Sequence, residues 1–411
     1  MLSRRTFLGS AALAAAAPET RPIRIAIIAT IYRLQSHAQH MGDRFLVGYP
    51  YGGVWRKPNV KVVSLYVDQK GEGDLSGARA KEFGFEVFGT IAEALRCGGH
   101  ELAVDAVLII AEHGNYPRNE KGQIQYPRYE FFQECVKVFE AGGRTVPVYN
   151  DKHLSFSFEK AKSMVDASRR LRFPMLAGSS LPVTWRLPAI ELPLDCEIEE
   201  ALMVGAGASD PMDFHALEGL QCMVERRRGG ENGVRAVRLI EGGEVWTAAD
   251  EGRFSRELLT AALSRSDTPL GLTVTDGRTQ DLVGSGELRS LAKMPAAYFI
   301  EYRDGLKATM LMLDGAVKDF NFAARLKGGQ VRSTQFLLTP DPNVTYSACL
   351  MHQAEQMFET GVAPYPVERT LLTSGILESC LTSKVQNHAR METPHLQVVY
   401  KPPKESQFAR A

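Results

Sequence analysis

The sequence predicts an α/β protein in two parts: an N-terminal Rossmann-like parallel sheet and a C-terminal α+β domain with a predominantly antiparallel open sheet. Three observations carry this. Short apolar runs alternate with helical stretches as far as Gly178, the pattern of parallel strands covered on both faces. Beyond that point a proline-punctuated stretch and apolar runs joined by Asp-Gly replace the alternation. The chain's 411 residues also exceed one ordinary core, so two domains are expected.

Residues 23–29 form the first buried strand, and a polar loop rich in glycine and aromatics is expected to follow as far as Pro58, with Tyr49, Tyr51 and Trp55 near a cleft or packed between domains. Residues 60–68 read as a strand, 76–83 as a helix, 86–88 as a short strand and 90–96 as a short helix. Residues 103–111 are apolar on both faces, as in a central strand. Residues 129–141 form an amphipathic helix stopped by Gly142-Gly143. A strand ending at Tyr149, a helix over 158–170 and a strand over 174–178 complete the first domain. Pro182, Pro188 and Pro193 mark the linker. A strand over 198–204, a helix over 214–227 and a strand pair over 234–240 and 245–248 turning at Glu241-Gly242-Gly243 come next. Strands over 297–302, 308–313 and 319–326 are joined by Asp304-Gly305 and Asp314-Gly315 as hairpins, and helices over 346–359 and 369–383 follow.

Composition limits the function classes. Lys+Arg and Asp+Glu balance at 48 each, which argues against a nucleic-acid or anionic-membrane surface. The six cysteines are scattered with no CxxC pair, so zinc-ligand spacing is absent and buried free thiols are expected. Ser3-Arg4-Arg5-Thr6-Phe7-Leu8 resembles the twin-arginine export motif, and an apolar, alanine-rich run follows to Ala17. Residues 1–19 therefore read as a signal peptide, 20–180 as the Rossmann-like domain and 181–411 as the antiparallel-sheet domain. The implied location is the periplasm, with membrane anchoring if the signal stays uncleaved, and the implied first partner is the twin-arginine export machinery.

Asp151-Lys152-His153 stands just past a buried strand, where open α/β sheets place ligand-binding groups. A lysine there donates to a substrate oxygen, and a histidine beside it transfers a proton. The bland alternative is a polar loop capping the next helix.

The order of these pieces resembles the Gfo/Idh/MocA-like oxidoreductase family. Lys81-Glu82-Phe83-Gly84 with Thr90-Ile91-Ala92-Glu93-Ala94-Leu95, the strand Asp105-Ala106-Val107-Leu108-Ile109-Ile110, Asp151-Lys152-His153-Leu154 at the family's E-K-P-L, and Thr373-Ser374-Gly375-Ile376-Leu377-Glu378 in the closing helix carry the resemblance. It implies hydride transfer between a sugar or polyol derivative and NAD or NADP. Lys152 and His215 would handle the proton, Asp213 or Asp210 would pair with the histidine, and His153, Trp185 and Arg186 would contact substrate. Thr30, Arg33, Asp68, Glu112 and His113 would face the cofactor. The resemblance also implies dimerisation through the outer face of the C-terminal sheet.

The sequence departs from the family at the first turn. Where the family has G-x-G-x-x-G, this chain has Ala29-Thr30-Ile31-Tyr32-Arg33-Leu34 without a glycine. Two readings stand. NAD(P) binds in an altered manner with Arg33 on phosphate, or the chain is a non-catalytic carbohydrate- or partner-binding descendant that has lost the dinucleotide site. A cofactor-free or metal-assisted lyase or hydrolase is a third.

Overall fold

A computed structural model describes residues 21–207, 210–271 and 281–410; the expected signal peptide lies outside the described residues. The first domain is built on β1 (Ile23–Ala29), β4 (Val60–Val67), β5 (Glu86–Phe88), β6 (Ala106–Ile110), β7 (Val148–Asp151) and β8 (Met175–Gly178). These six strands pair in parallel in the order β5-β4-β1-β6-β7-β8. The sheet reverses direction of growth between β1 and β6, and the crevice above that point is where such sheets bind ligands.

The continuous apolar character of the strands has a direct cause. Ala26, Ile28, Val107 and Ile109 face one core, while Ile25, Ile27, Leu108 and Ile110 face the other. Helices α3 (Ile91–Arg96), α4 (Arg128–Gly142) and α5 (Phe158–Leu171) cover the first face.

Helix α1 (His37–Val47) and the hairpin β2 (Tyr49–Tyr51) and β3 (Val54–Arg56) occupy the stretch read from sequence as a loop. Ser36 accepts from the Gln39 amide at 3.3 Å, and the Gln39 side chain accepts from the Gln35 amide at 3.2 Å. Ala38, Met41 and Phe45 bury one face of the helix. Capping and i, i+3, i+7 burial outweigh the polar composition that suggested a loop.

The second sheet has eight strands in the order β16-β11-β12-β13-β10-β14-β15-β9. They are β9 (Arg186–Leu187), β10 (Ile198–Gly205), β11 (Val234–Glu241), β12 (Ala296–Tyr302), β13 (Lys307–Met312), β14 (Phe320–Leu326), β15 (Val331–Phe336) and β16 (Met391–Glu392). Asp304-Gly305 closes the β12–β13 hairpin as expected. Asp314-Gly315 does not close a β13–β14 hairpin, because β10 lies between the two strands, parallel to β13 and antiparallel to β14. The stretch expected to be a strand after Gly242-Gly243 is helix α7 (Gly243–Asp250), which buries Val245 and Ala248 one turn apart.

On the outer face of this sheet Leu202, Val204, Leu311 and Ala323 pack against Leu258, Leu259 and Ala262 of α8 (Arg256–Leu263). The inner face joins the first domain's core through α6 (Asp210–Val224) and α11 (Glu368–Val385), with α10 (Tyr346–Thr360) on the opposite side of the parallel sheet.

A buried ion pair locks α6 to α11. Arg369 donates to both Glu225 carboxylate oxygens, at 2.9 and 2.6 Å, with both residues under 5% exposed. The Tyr400 hydroxyl donates to Glu225 at 2.8 Å, tying in the C-terminal tail. Removing one partner strands the other charge in the core. Arg369→Ala is therefore expected to lose about 3–5 kcal/mol of stability in urea unfolding; a loss under about 1 kcal/mol would contradict the pair's structural role.

Candidate active site between the two domains

The carboxyl ends of β6, β7 and β8 meet the first turn of α6 around a cleft of about 610 Å³. Lys152 follows β7 in the left-handed region at φ 64°, a conformation costly for a side chain this size. That turn buries the lysine to 3% exposure.

Lys152 Nζ donates to His215 Nε2 at 2.5 Å. With Nε2 accepting, the ring proton sits on Nδ1 and is donated to Ser179 Oγ at 2.5 Å. Ser179 Oγ also accepts from the Leu181 amide at 3.0 Å, which holds it in place. Gly178 makes this corner possible: its φ is +125°, and a Cβ there would lie 2.5 Å from Glu218 Oε2.

The charges follow from burial. Desolvation pulls the Lys152 ammonium below its ordinary value, and the carboxylates of Glu112 and Asp151 only partly oppose it. Burial, then the charge of Lys152, drives His215 well below the usual imidazole range. His113 is pulled down to about 4, by burial first and His37 second. Burial raises Asp210 to about 6 and Asp213 to about 7. Asp213 accepts from the Tyr298 hydroxyl at 2.7 Å. Near neutrality the cleft thus holds neutral imidazoles at His113 and His215, and carboxyls at Asp210 and Asp213 poised to gain or lose a proton, the condition acid–base chemistry needs.

Of the residues expected from sequence, Lys152, His153, Glu112, His113, Asp213 and His215 all line this cleft. Asp210 lines it too, with its Oδ1 3.7 Å from His153 Nε2. Arg186 does not reach it. Its guanidinium lies over the rings of Phe336 and Phe408 and donates to the Ile190 carbonyl, so it is a core cation rather than a substrate contact. Trp185 packs beside the core on the α10 side, away from the cleft. Tyr49 donates to Glu355 and Tyr51 stacks on His352, so these loop aromatics bind the β2–β3 hairpin to α10.

Sequence reasoning passed over one component. His37, in the first turn of α1, lines the same cleft, and its Nδ1 lies 2.7 Å from Asp151 Oδ2. Burial raises the Asp151 carboxyl, but His37, Lys152 and Arg128 outweigh it and hold it below the usual range. The Ser36–Gln39 capping pattern was the available signal, since it places His37 at a helix start facing the carboxyl ends of the strands. Arg128, fully buried, donates to Glu112 and fixes the β6 loop from behind.

A dinucleotide would cross the β1–β6 crevice with phosphates at the α1 N-terminus. Thr30 Oγ1 spans that crevice to the Glu112 carbonyl at 2.7 Å, and the rings of His37 and His113 meet edge to face at 5.2 Å. Tyr32 is buried in the turn with its hydroxyl on Asp43, and the backbone of Arg33 pairs with that of Asp74 in an isolated antiparallel bridge. Asp68, the expected ribose ligand, already accepts from the hydroxyls of Tyr66 and Tyr116 at 2.8 and 2.7 Å. A polar pocket of about 370 Å³ remains beside Arg33, Lys70 and Asp74. The residues present do not fit a dinucleotide in the extended pose across the crevice. Among the described residues, no cluster of histidines, cysteines and acids is arranged to hold a metal ion.

No protein-family model matches the sequence, and no curated protein matches it. Solved structures do. The chain is similar to GenD2 from gentamicin A biosynthesis, determined in complex with NAD, with a TM-score of 0.56 and 13% identity over 91% of this chain and 97% of that one. It is similar to myo-inositol dehydrogenase from Lactobacillus casei, determined with NAD(H) and myo-inositol, with a TM-score of 0.56 and 10% identity over 93% and 98% of the two chains. Myo-inositol 2-dehydrogenase from Lactobacillus plantarum gives a TM-score of 0.54 and 12% identity over 90% and 99%. The chain therefore has the two-domain fold of these structures, as the resemblance to the Gfo/Idh/MocA-like family implied.

The raised Asp213 carboxyl has a consequence for stability. A carboxyl whose folded value lies near 7 against an ordinary 3.8 stabilises the fold fully below about pH 4, and that contribution is lost as pH rises through 7. Asp213→Asn is expected to match the wild type at pH 4 and exceed it at pH 8, by on the order of 3 kcal/mol in urea unfolding. Equal stability of the two at pH 8 would contradict the buried, proton-holding carboxyl.

Proposed function

We propose that this chain is an exported enzyme acting on a sugar or polyol derivative, with Lys152 and His215 moving the proton of a substrate hydroxyl. The observation that carries the reading is the contact of Lys152 Nζ with His215 Nε2 in the interdomain cleft. A substrate hydroxyl entering this contact accepts from the ammonium and donates to the imidazole, so its proton has a path away from the oxygen. Ser179 holds the ring in the tautomer that accepts. Asp210, Asp213 and Tyr298 line the same cleft and provide acceptors and donors for further hydroxyls.

The fold neighbours support oxidoreduction of a sugar-like substrate: one was determined with NAD(H) and myo-inositol together. Transfer of hydride to NAD(P) would require the span between Thr30 and Glu112 to part. The reading in which the dinucleotide site has been lost draws support from Asp68, whose carboxylate is taken up by two tyrosines. Both readings, oxidoreduction and non-catalytic carbohydrate or partner binding, use the same interdomain cleft. The twin-arginine motif at Arg4-Arg5 supports export to the periplasm.

Protein purified from an export-competent host, incubated with cyclic polyols, aldoses and uronic acids and followed by NMR, tests the proposal. Lys152→Met and His215→Ala are each expected to reduce turnover by about 10²–10⁴-fold with little change in substrate affinity. Wild-type turnover by Lys152→Met would contradict the assignment.

A further inference from the structure

The crevice that a dinucleotide would cross is spanned by this chain's own groups, and one of them, His37, forms a second dyad with Asp151 inside the cleft. The His37 side chain is 21% exposed and Asp151 1%, so the carboxylate is buried behind a ring that still reaches the cleft. Asp151 accepts from Nδ1–H, which leaves Nε2 as the basic nitrogen. The same cleft thus contains two separate side-chain pairs, His37–Asp151 and Lys152–His215.

Among the cations lining the cleft, Lys121 is paired with Glu378 at 2.8 Å and Lys384 with Glu241 at 2.9 Å. Arg118 is exposed and donates to the Gly122 carbonyl, with no carboxylate partner among the described residues. A guanidinium so placed suits a substrate carboxylate, which it binds through two parallel hydrogen bonds.

We propose that the site works without a dinucleotide, as a lyase for uronate-containing carbohydrate, with His37 as base, Lys152 and His215 as the acid pair and Arg118 on the substrate carboxylate. This rests on the assignment of Lys152 and His215 to proton transfer. The step balances within the substrate. His37 Nε2 takes the proton from the carbon bearing the carboxylate, and that C–H electron pair forms a C=C bond. The bond from the next carbon to its oxygen substituent breaks, and the leaving oxygen takes a proton from the Lys152–His215 pair. The products are an unsaturated uronate and a hydroxyl-ended sugar, with no electron acceptor consumed. Arg118 neutralises the carboxylate and makes the removed proton more acidic.

The test uses the exported protein, without added nucleotide, on polygalacturonate, alginate and glucuronate-containing oligosaccharides, following the ultraviolet absorbance of the new C=C bond. Calorimetric titration with NAD⁺, NADH, NADP⁺ and NADPH runs beside it. Unsaturated product is expected from at least one uronate, with no heat from any nucleotide. His37→Ala and His37→Gln should each lose about 10²-fold or more in turnover. His37→Gln retains a donor to Asp151 and guards against loss of folding. Arg118→Ala should mainly raise KM. Absence of unsaturated product from every uronate overturns the proposal, as does saturable nucleotide binding with reduced nucleotide formed from a polyol. In that last case, loss of turnover in Lys152→Met would leave the proton-transfer assignment intact while the lyase fails.

Discussion

The site is organised by the desolvation of one ammonium group. Lys152 is carried under the surface by a left-handed turn at the end of β7, where it meets almost no water. A buried cation must find partners or shed its charge. Here it does part of each: carboxylates of Glu112 and Asp151 lie near it, and its ammonium is nevertheless pulled below its ordinary value. His215 then answers as an acceptor, and the positive neighbour keeps the imidazole neutral. Ser179, Gly178 and Glu218 form the rigid corner that holds the ring. A lysine on a mobile surface loop would have none of these effects.

The two-domain fold makes that burial possible. β7 and β8 deliver Lys152 and Ser179 from the parallel sheet, while α6 delivers His215 and Asp213 from the second domain. Their alignment depends on α6 staying fixed against α11, which the Arg369–Glu225 pair and the Tyr400 hydroxyl enforce. The core beneath is continuous, since Ala201, Met203 and Phe320 of the second sheet share it with Phe158 and Met175 of the first domain. The cleft is therefore walled by packed elements rather than by a hinge.

Much of this was legible in the chain. Strands buried on both faces leave unbroken apolar runs, so the parallel sheet could be read almost strand by strand, and the polar triplets at strand ends pointed to Lys152, His153, Glu112 and His113. The failures have physical reasons. Val245 and Trp246 have strand-like preferences, yet α7 forms because Val245 and Ala248 bury together on one helical face. The insertion of β10 between β13 and β14 is a long-range pairing that no local Asp-Gly signal encodes. Arg186 resembles a ligand-binding arginine in sequence, but two phenylalanine rings explain its burial. His37 was hidden because its partner Asp151 is 114 residues away. The glycine-free first turn was read correctly as a departure, and the structure supplies what fills the space: Tyr32, the His37–His113 contact and the tyrosines on Asp68.

His215 stays neutral because it is buried, and buried against the Lys152 ammonium. Nitrogen-15 NMR of the histidine side chains, titrated from pH 8 to 5 in the wild type and in Lys152→Met, tests this most directly. The account predicts a wild-type His215 resonance of a neutral ring protonated at Nδ1 throughout, with its titration shifted upward once the ammonium is removed. A His215 that titrates near 6.5 in both proteins would contradict the account.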